Sequence, residues 1–348
     1  MNLASILEQY LPALQKRYGC RLTDDQRQAL HAIERCRTED SGEMTWQCLA
    51  CDQSQTLYYP CGHRSCPQCQ HHTASVWIER QQAKLLPVDY FMVTFTLPKA
   101  LRNTLRRHPK TAYSALFDAA GSTLKSFGLN HRQLNGDLGF TSILHTHSRQ
   151  LEYHPHLHVV IPGAALLKKR RQWRKLKGQY LFNGKALAKV FKARFLETLA
   201  ASGLAAPAPT SAWVVHCKKV GSGLPALKYL SRYLYRGVIS EKNIIANDGA
   251  SITFTYKDNK DKQQTRCLKG EDFLWLILQH VLPKGFRRVR DYGFLHGNAK
   301  KTLDLIRWVL KVHIAPGTPV KRPILHCRLC HHPMVIIRHR PPDRKRLE

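Results

Sequence analysis

The stretch YHPHLHVV, residues 153–160, sets His154, His156 and His158 at alternate positions in a run that otherwise reads as a buried strand. In a strand, residues two apart share a face. His156 and His158 therefore present their imidazoles side by side, and Pro155 suggests that the strand only begins near His154. The apolar residues after them, VVIPG (159–163), suit a central strand. Two imidazoles in a core are costly unless hydrogen-bonded or metallated. A lone histidine would read as a satisfied core residue, but the pair in this setting points to metal.

The preceding stretch LGFTSILHTHS (138–148) also reads as a strand. Folded back on 153–160, it brings His145 and His147 opposite His158 and His156, and directly opposed residues point to one face. Either could be the third ligand. A one-residue slip would invert the faces; His145 is taken as the candidate.

The rest of the chain has both helical and strand periodicity. TDDQRQALHAIERC (23–36) is a helix that Thr23 can cap. DYFMVTFTLP (89–98), AWVVHCKKV (212–220) and SITFTYKD (251–258) read as strands, the last forming a hairpin-like unit with the residues after 258. TAYSALFDAAGSTLKSF (111–127), KALAKVFKARFLETLAAS (185–202), GEDFLWLILQHVL (270–282) and NAKKTLDLIRWVLKVH (298–313) read as helices. LPALKYLSRYLYRG (224–237) is a helix that Pro225 can start and Gly237 can end. The fold class is α+β: an antiparallel sheet with flanking helices, preceded by a small helical and metal-binding domain. The expected segments are 1–85, 86–245, 246–315 and a basic tail, 316–348, that ends Pro- and Arg-rich and unstructured.

Charge narrows the partners. Lys and Arg number 55 against 24 Asp and Glu, a net charge of +31 over 348 residues. Such an excess attracts polyanions. It is spread through folded-looking segments, so nucleic acid is a better partner than a membrane surface. The longest apolar run, FLWLILQHVL (273–282), is too short to span a bilayer, and 1–19 lacks the apolar core of a signal peptide. A cytoplasmic protein is expected, and the eleven clustered cysteines then suggest metal in place of disulfides.

Cys48 and Cys51 form one CxxC; Cys66 and Cys69 form another. Two such knuckles can place four thiolates around one tetrahedral zinc, and this tetrad is the expected structural site. Cys36, Cys61 and His63 lie close enough to complete a second site or exchange with the first. At the far end, Cys327 and Cys330 form a third CxxC in HCRLCHHPM (326–334). A zinc there would need His331, His332, His339 or a distant ligand.

In the 224–237 helix, Tyr229 and Tyr233 are four apart and share a face. A phenol can attack phosphorus if a metal polarises the phosphate; aromatic packing is the plainer reading of such a pair. Arg232 and Arg236 lie in the same helix. The basic segment GFRRVRDYGFL (285–295) adds Arg287 and Arg288 as DNA contacts.

YHPHLHVVIPGA (153–164) resembles the HUH motif, histidine–hydrophobic–histidine, at 156–158. YLSRYLYRGVIS (229–240) resembles the two-tyrosine motif of the rolling-circle insertion-sequence transposases, the IS91 family. CRTEDSGEMTWQCLACDQ (36–53) with CGHRSCPQCQ (61–70) resembles that family's N-terminal zinc-binding domain, and LLPVDYFMVTFTLP (85–98) the join to its catalytic domain. FRRVRDYGFL (286–295) resembles its C-terminal part. The resemblance runs over roughly residues 5 to 312 in the family's order.

The resemblance implies a metal-dependent endonuclease and strand transferase on single-stranded DNA, working at transposon ends in the bacterial, nucleoid-associated cytoplasm. His156 and His158, with His145, would hold Mg²⁺ or Mn²⁺, although imidazoles alone suit a softer metal. Tyr229 or Tyr233 would attack, leaving a 5′-phosphotyrosine, and the other would serve the second cleavage. No nucleotide cofactor is expected, because the covalent bond keeps the phosphate energy and no GxxxxGK[ST] loop occurs. Trp46, Trp77 and Trp213 are candidate stacking platforms for unpaired bases. The rival readings are a non-catalytic zinc-dependent DNA-binding protein and an HUH plasmid replication initiator or relaxase. The first leaves the histidine and tyrosine pairs unexplained; the cysteine module and residues 286–295 speak against the second.

Overall fold

The computed structural model describes residues 2–69, 71–205, 213–235, 238–258, 260–312 and 324–342. In chain order come α1 (Leu3–Tyr18), α2 (Asp24–Glu34), β1 (Glu43–Cys48), β2 (Ser54–Tyr58), α3 (His71–Gln82), β3 (Tyr90–Thr96), α4 (Arg102–Arg107) and α5 (Pro109–Leu129). Next are β4 (Phe140–His147), β5 (Tyr153–Pro162), β6 (Ala164–Leu167), β7 (Gln172–Lys175), α6 (Gly184–Ala201), β8 (Val214–Gly221) and α7 (Leu224–Tyr235). The chain continues through β9 (Ile244–Asn247), β10 (Ser251–Lys257), β11 (Gln263–Lys269), α8 (Gly270–Leu278), β12 (Val289–Tyr292), α9 (Lys300–Val309) and β13 (Met334–Arg340).

Two compact units form, and neither is continuous in sequence. The first holds α1, α2 and the β1–β2 hairpin, joined by residues 235–281 and by the C-terminal strand β13. Helix α1 buries Leu3, Ile6, Leu7, Tyr10 and Leu14, a stripe at helical spacing. Thr23 caps α2 as expected: its hydroxyl accepts the Gln26 N–H, and the Gln26 side chain accepts the Thr23 N–H. That capping box anchors the helix start. Gln26 also donates to the Leu278 carbonyl at 2.9 Å, and the Tyr10 hydroxyl to Asn247 at 2.6 Å. These contacts draw residues 235–281 to the N-terminal helices. The boundaries expected at 85, 245 and 315 therefore do not delimit these units.

The second unit carries a five-stranded antiparallel sheet in the order β12-β4-β5-β3-β8. Strand β5 is its centre, as the apolar 159–163 run predicts. Its odd-numbered residues from Tyr153 to Ile161 are buried, while His154, His156 and His158 are half-buried on the other face. On the buried face Phe91, Val93, Phe95, Leu144, Leu157 and Val159 pack with Leu116, Phe117 and Leu124 of α5 and Phe191 and Phe195 of α6. Truncating one such side chain costs about 2–5 kcal/mol, so the platform under the histidines is rigid.

Strand β5 begins earlier than Pro155 suggested. The proline falls where a missing N–H is tolerated: the ladder to β3 starts at His156, and the register to β4 shifts between His145 and His147. The edge strand β8 leads into α7 through Gly223, whose φ is +81°. A Cβ there would sit 2.6 Å from the Tyr90 ring, so only glycine fits this turn.

Candidate active site

Three histidines converge. Ligand nitrogens of His145, His156 and His158 all lie within 4.8 Å of one another. The expected cross-strand register is off by two residues: His145 pairs with His156 and Ile143 with His158, and a bulge between His145 and His147 then sets His147 against Tyr153. His145 thus keeps the face of the β5 pair, while His147 is carried one step along and is not in the cluster.

The imidazoles are oriented from behind. His156 Nδ1 lies 2.7 Å from the His154 carbonyl, which can only accept, so Nδ1 carries the proton and Nε2 the lone pair. His158 Nδ1 lies 3.0 Å from the Thr94 hydroxyl, its cross-strand neighbour on β3. The two Nε2 atoms are then 3.2 Å apart, aimed at common space. A second hydrogen bond holding each ligand ring is the usual build of a metal site. Burial, reinforced between the rings by their mutual repulsion, lowers His158 to about 3. Burial likewise lowers His156 to about 4 and holds His145 well below the ordinary range. Near neutral pH all three rings are uncharged, the form that ligates metal.

Cations ring the cluster. The Arg288 guanidinium helps depress His145, and the Arg288 carbonyl accepts the Leu144 N–H at 2.9 Å beside it. Arg102 reaches His154 Nδ1 at 2.7 Å. Neighbouring Arg287 is exposed. Thr94 and Arg102 have no counterpart among the sequence-derived candidates. The signal for Thr94 is a polar residue inside the otherwise apolar FMVTF, on the strand that must pair with the histidines.

In α7, Ala226, Leu227, Leu230 and Ser231 are buried, and Tyr229 stands on the other side with 41% of its surface exposed. The backbone of residues 232–235 continues the helix, so Tyr233 comes one turn after Tyr229. The side chains of Arg232 and Tyr233, and all of Arg236, lie outside the described residues. The three candidate tryptophans are not open platforms. Trp77 is buried, Trp213 packs against Phe191 and Phe195, and Trp46 covers a cysteine cluster.

The cysteines assemble otherwise than expected. Cys48 and Cys51 do not share a tetrad with Cys66 and Cys69. Cys66 and Cys69 join Cys36 and Cys61, with Cys36–Cys69 sulfurs at 3.4 Å, Cys36–Cys66 at 3.6 Å and Cys61–Cys69 at 3.7 Å. His63 is not in the set; its Nδ1 accepts the Ser65 N–H. Cys48 and Cys51 meet Cys327 and Cys330 instead. A tetrahedron with Zn–S near 2.3 Å has edges of about 3.8 Å, so both tetrads have thiolate–zinc dimensions. Among the described residues, no helix is long and apolar enough to cross a membrane.

Comparison with known proteins gives the family. A family model described as "Transposase zinc-binding domain" matches residues 6–97, and one described as "Putative transposase", the Y2 type, matches 139–302. The chain is 31% identical over 319 residues to "Putative transposase y4qJ" of Sinorhizobium fredii, across 84% of this chain and 80% of that one. It is 29% identical over 282 residues to the transposase for insertion sequence element IS801 of Pseudomonas savastanoi pv. phaseolicola, across 75% and 68%. The conjugative relaxase TrwC, solved with mutant OriT DNA, aligns over 63% of this chain and 73% of that one with 14% identity and a TM-score of 0.28. The two family models take in the cysteine-bearing N-terminal part and most of the histidine-bearing sheet, and the first relative is more than 30% identical across most of both chains: the chain belongs to the IS91 family of transposases and carries that family's zinc-binding domain at its N-terminal end.

Proposed function

We propose that the protein nicks and rejoins single-stranded DNA at transposon ends through a 5′-phosphotyrosine, driving rolling-circle transposition. The observation that carries this reading is the cluster of three neutral imidazoles, two of them oriented by hydrogen bonds on the central strand β5 and the third, His145, beside them on β4. His156, His158 and His145 would hold one Mg²⁺ or Mn²⁺, which when bound polarises the scissile phosphate as a Lewis acid. The Tyr229 or Tyr233 oxygen attacks phosphorus, and its phenolic proton is released. The bond to the 3′ oxygen breaks and that oxygen leaves as a 3′-hydroxyl. Arg288 and Arg102 supply positive charge beside the phosphate, and Arg287, Arg232 and Arg236 contact the strand further along. Rejoining is the reverse attack by a 3′-hydroxyl, and the second tyrosine of the pair serves the other cleavage. The zinc of the N-terminal domain, at Cys36, Cys61, Cys66 and Cys69, is structural and helps that domain recognise the element's ends in the bacterial cytoplasm.

The test is a nicking assay with Mn²⁺ on 5′-labelled single strands carrying the ends of the encoding element. His156→Ala and His158→Ala are expected each to slow nicking at least about 100-fold, a metal ligand weighing at least as much as its supporting partners. Nicking at the normal rate by both variants would overturn the metal assignment.

A further inference from the structure

We infer that Cys48, Cys51, Cys327 and Cys330 form a second zinc site, and that this metal joins the C-terminal strand β13 to the N-terminal β1–β2 hairpin as one module. The inference rests on the zinc-binding character of the N-terminal domain and is independent of strand cleavage. Half of its ligands lie far beyond residues 6–97, where the zinc-domain match ends.

The sulfur geometry is that of a closed tetrathiolate. Cys48–Cys330 is 3.3 Å, Cys51–Cys330 is 3.4 Å and Cys51–Cys327 is 3.5 Å. A disulfide would need about 2.05 Å. The two knuckles are also built alike. In each, the N–H of the first cysteine reaches a carbonyl five residues on at 2.9 Å: Cys48 to Gln53, Cys327 to His332. In each, the residue after the second cysteine is left-handed, Asp52 at φ 53° and His331 at φ 58°. Such a residue turns the chain so that both sulfurs of a CxxC face one point. The Leu329 N–H adds a hydrogen bond to the Cys327 sulfur at 3.4 Å.

The strand that this site holds has little else to hold it. Strand β13 pairs with β1 from Cys48↔Met334 to Glu43↔Arg340. Only Met334 is buried; Val335, Ile336 and Ile337 are 40–54% exposed. Strand β13 is the edge of a three-stranded sheet, β13-β1-β2, and with one buried side chain it adds little packing to its backbone pairing, so the metal supplies the cohesion. The chain is nevertheless fitted for the docked state. Gly42, at φ +80°, lies so close to the returning backbone that a Cβ would stand 2.5 Å from the Arg340 carbonyl and 2.6 Å from the Pro342 nitrogen. On binding Zn²⁺ the four thiols release their protons to solvent, and the strand closes on the hairpin.

The test uses the full chain, purified with its metal. Zinc released on denaturation should be two per chain, and Cys327→Ser plus Cys330→Ser should lower it to one. Hydrogen exchange across 334–340 should be slow in the loaded protein and fast in the variant, with the 90–96 and 153–162 strands unchanged. If the variant is insoluble, stepwise chelation of the native protein keeps the test open. Cys327 and Cys330 should then become alkylatable as one zinc leaves, together with Cys48 and Cys51. One zinc per chain in the native protein would overturn the inference, as would a variant that keeps two. So would a mass two hydrogens short per bridge, showing oxidised cysteines.

Discussion

The two tethered ring nitrogens explain how the histidines can act together. His156 is fixed by a backbone carbonyl and His158 by the Thr94 hydroxyl, so each Nε2 is committed to the shared side. Removing such a tether typically costs 10–100-fold in metal affinity. Thr94→Val keeps the shape of the side chain and is expected to weaken Mn²⁺ binding by about that factor in titration calorimetry; unchanged affinity would show that the hydroxyl does not orient the ring. The same burial gives a pH dependence. The folded rings titrate near 4 and 3 against an ordinary value of 6.5, so below 6.5 the unfolded chain binds more protons. Metal-free protein should hold its stability above pH 6.5 and lose it on acidification toward 4 and then 3. The loss per histidine should be up to about 1.4 kcal/mol per pH unit, read from denaturant midpoints. The face shared by His156 and His158 was legible from alternation alone. The position of His145 against them was not, because the bulge between His145 and His147 shifts the register and no residue type announces it.

Among the elements, α7 depends on the turn that launches it. Gly223 allows the chain to leave the edge strand β8 against the Tyr90 ring. Gly223→Ala should cost about 1–3 kcal/mol for a strained left-handed residue, measured as a lowered thermal midpoint, and should reduce nicking by displacing Tyr229. A variant with unaltered stability and activity would mean that the turn relaxes freely. The helix, its amphipathic face and the spacing of Tyr229 and Tyr233 were legible because they come from the 3.6-residue period. The paired knuckles were legible as cysteine spacing, but their partners were not. A CxxC states that two sulfurs share a metal and says nothing of which distant pair completes it, and here the partner of Cys48 and Cys51 is 276 residues or more away. Strand β13 was not read from the sequence for the same reason: it is poor in buried residues and its order comes from a long-range partner, while residues 343–348 of the Pro- and Arg-rich end expected to be unstructured lie outside the described residues.

For the whole molecule, the charge of +31 sets how the protein meets its substrate. Each phosphate neutralised on a single strand should contribute about −0.7 to the slope of log affinity against log salt. Filter-binding from low to physiological salt should therefore give a steep negative slope, made shallower by about one contact in each of Arg287→Gln and Arg288→Gln. A slope near zero would mean that the charge serves something other than DNA. The α+β class and the central place of β5 came from pattern. The interleaving of segments into two units did not, since packing of residues 235–281 on α1 and α2 depends on contacts such as Tyr10 to Asn247 and Gln26 to Leu278 that carry no local signature. Covalent chemistry by the tyrosine pair would leave DNA attached to the protein. Single-stranded DNA bearing the element's ends and a label on its 5′-phosphate side is incubated with the protein and Mn²⁺, then resolved on a denaturing gel. A protein–DNA adduct should form that disappears with chelator and in Tyr229→Phe plus Tyr233→Phe, while the His156→Ala protein should bind the strand without forming it. Tight binding with no adduct on strands that the protein is shown to recognise, or an adduct that survives loss of both tyrosines, would contradict covalent chemistry by the pair.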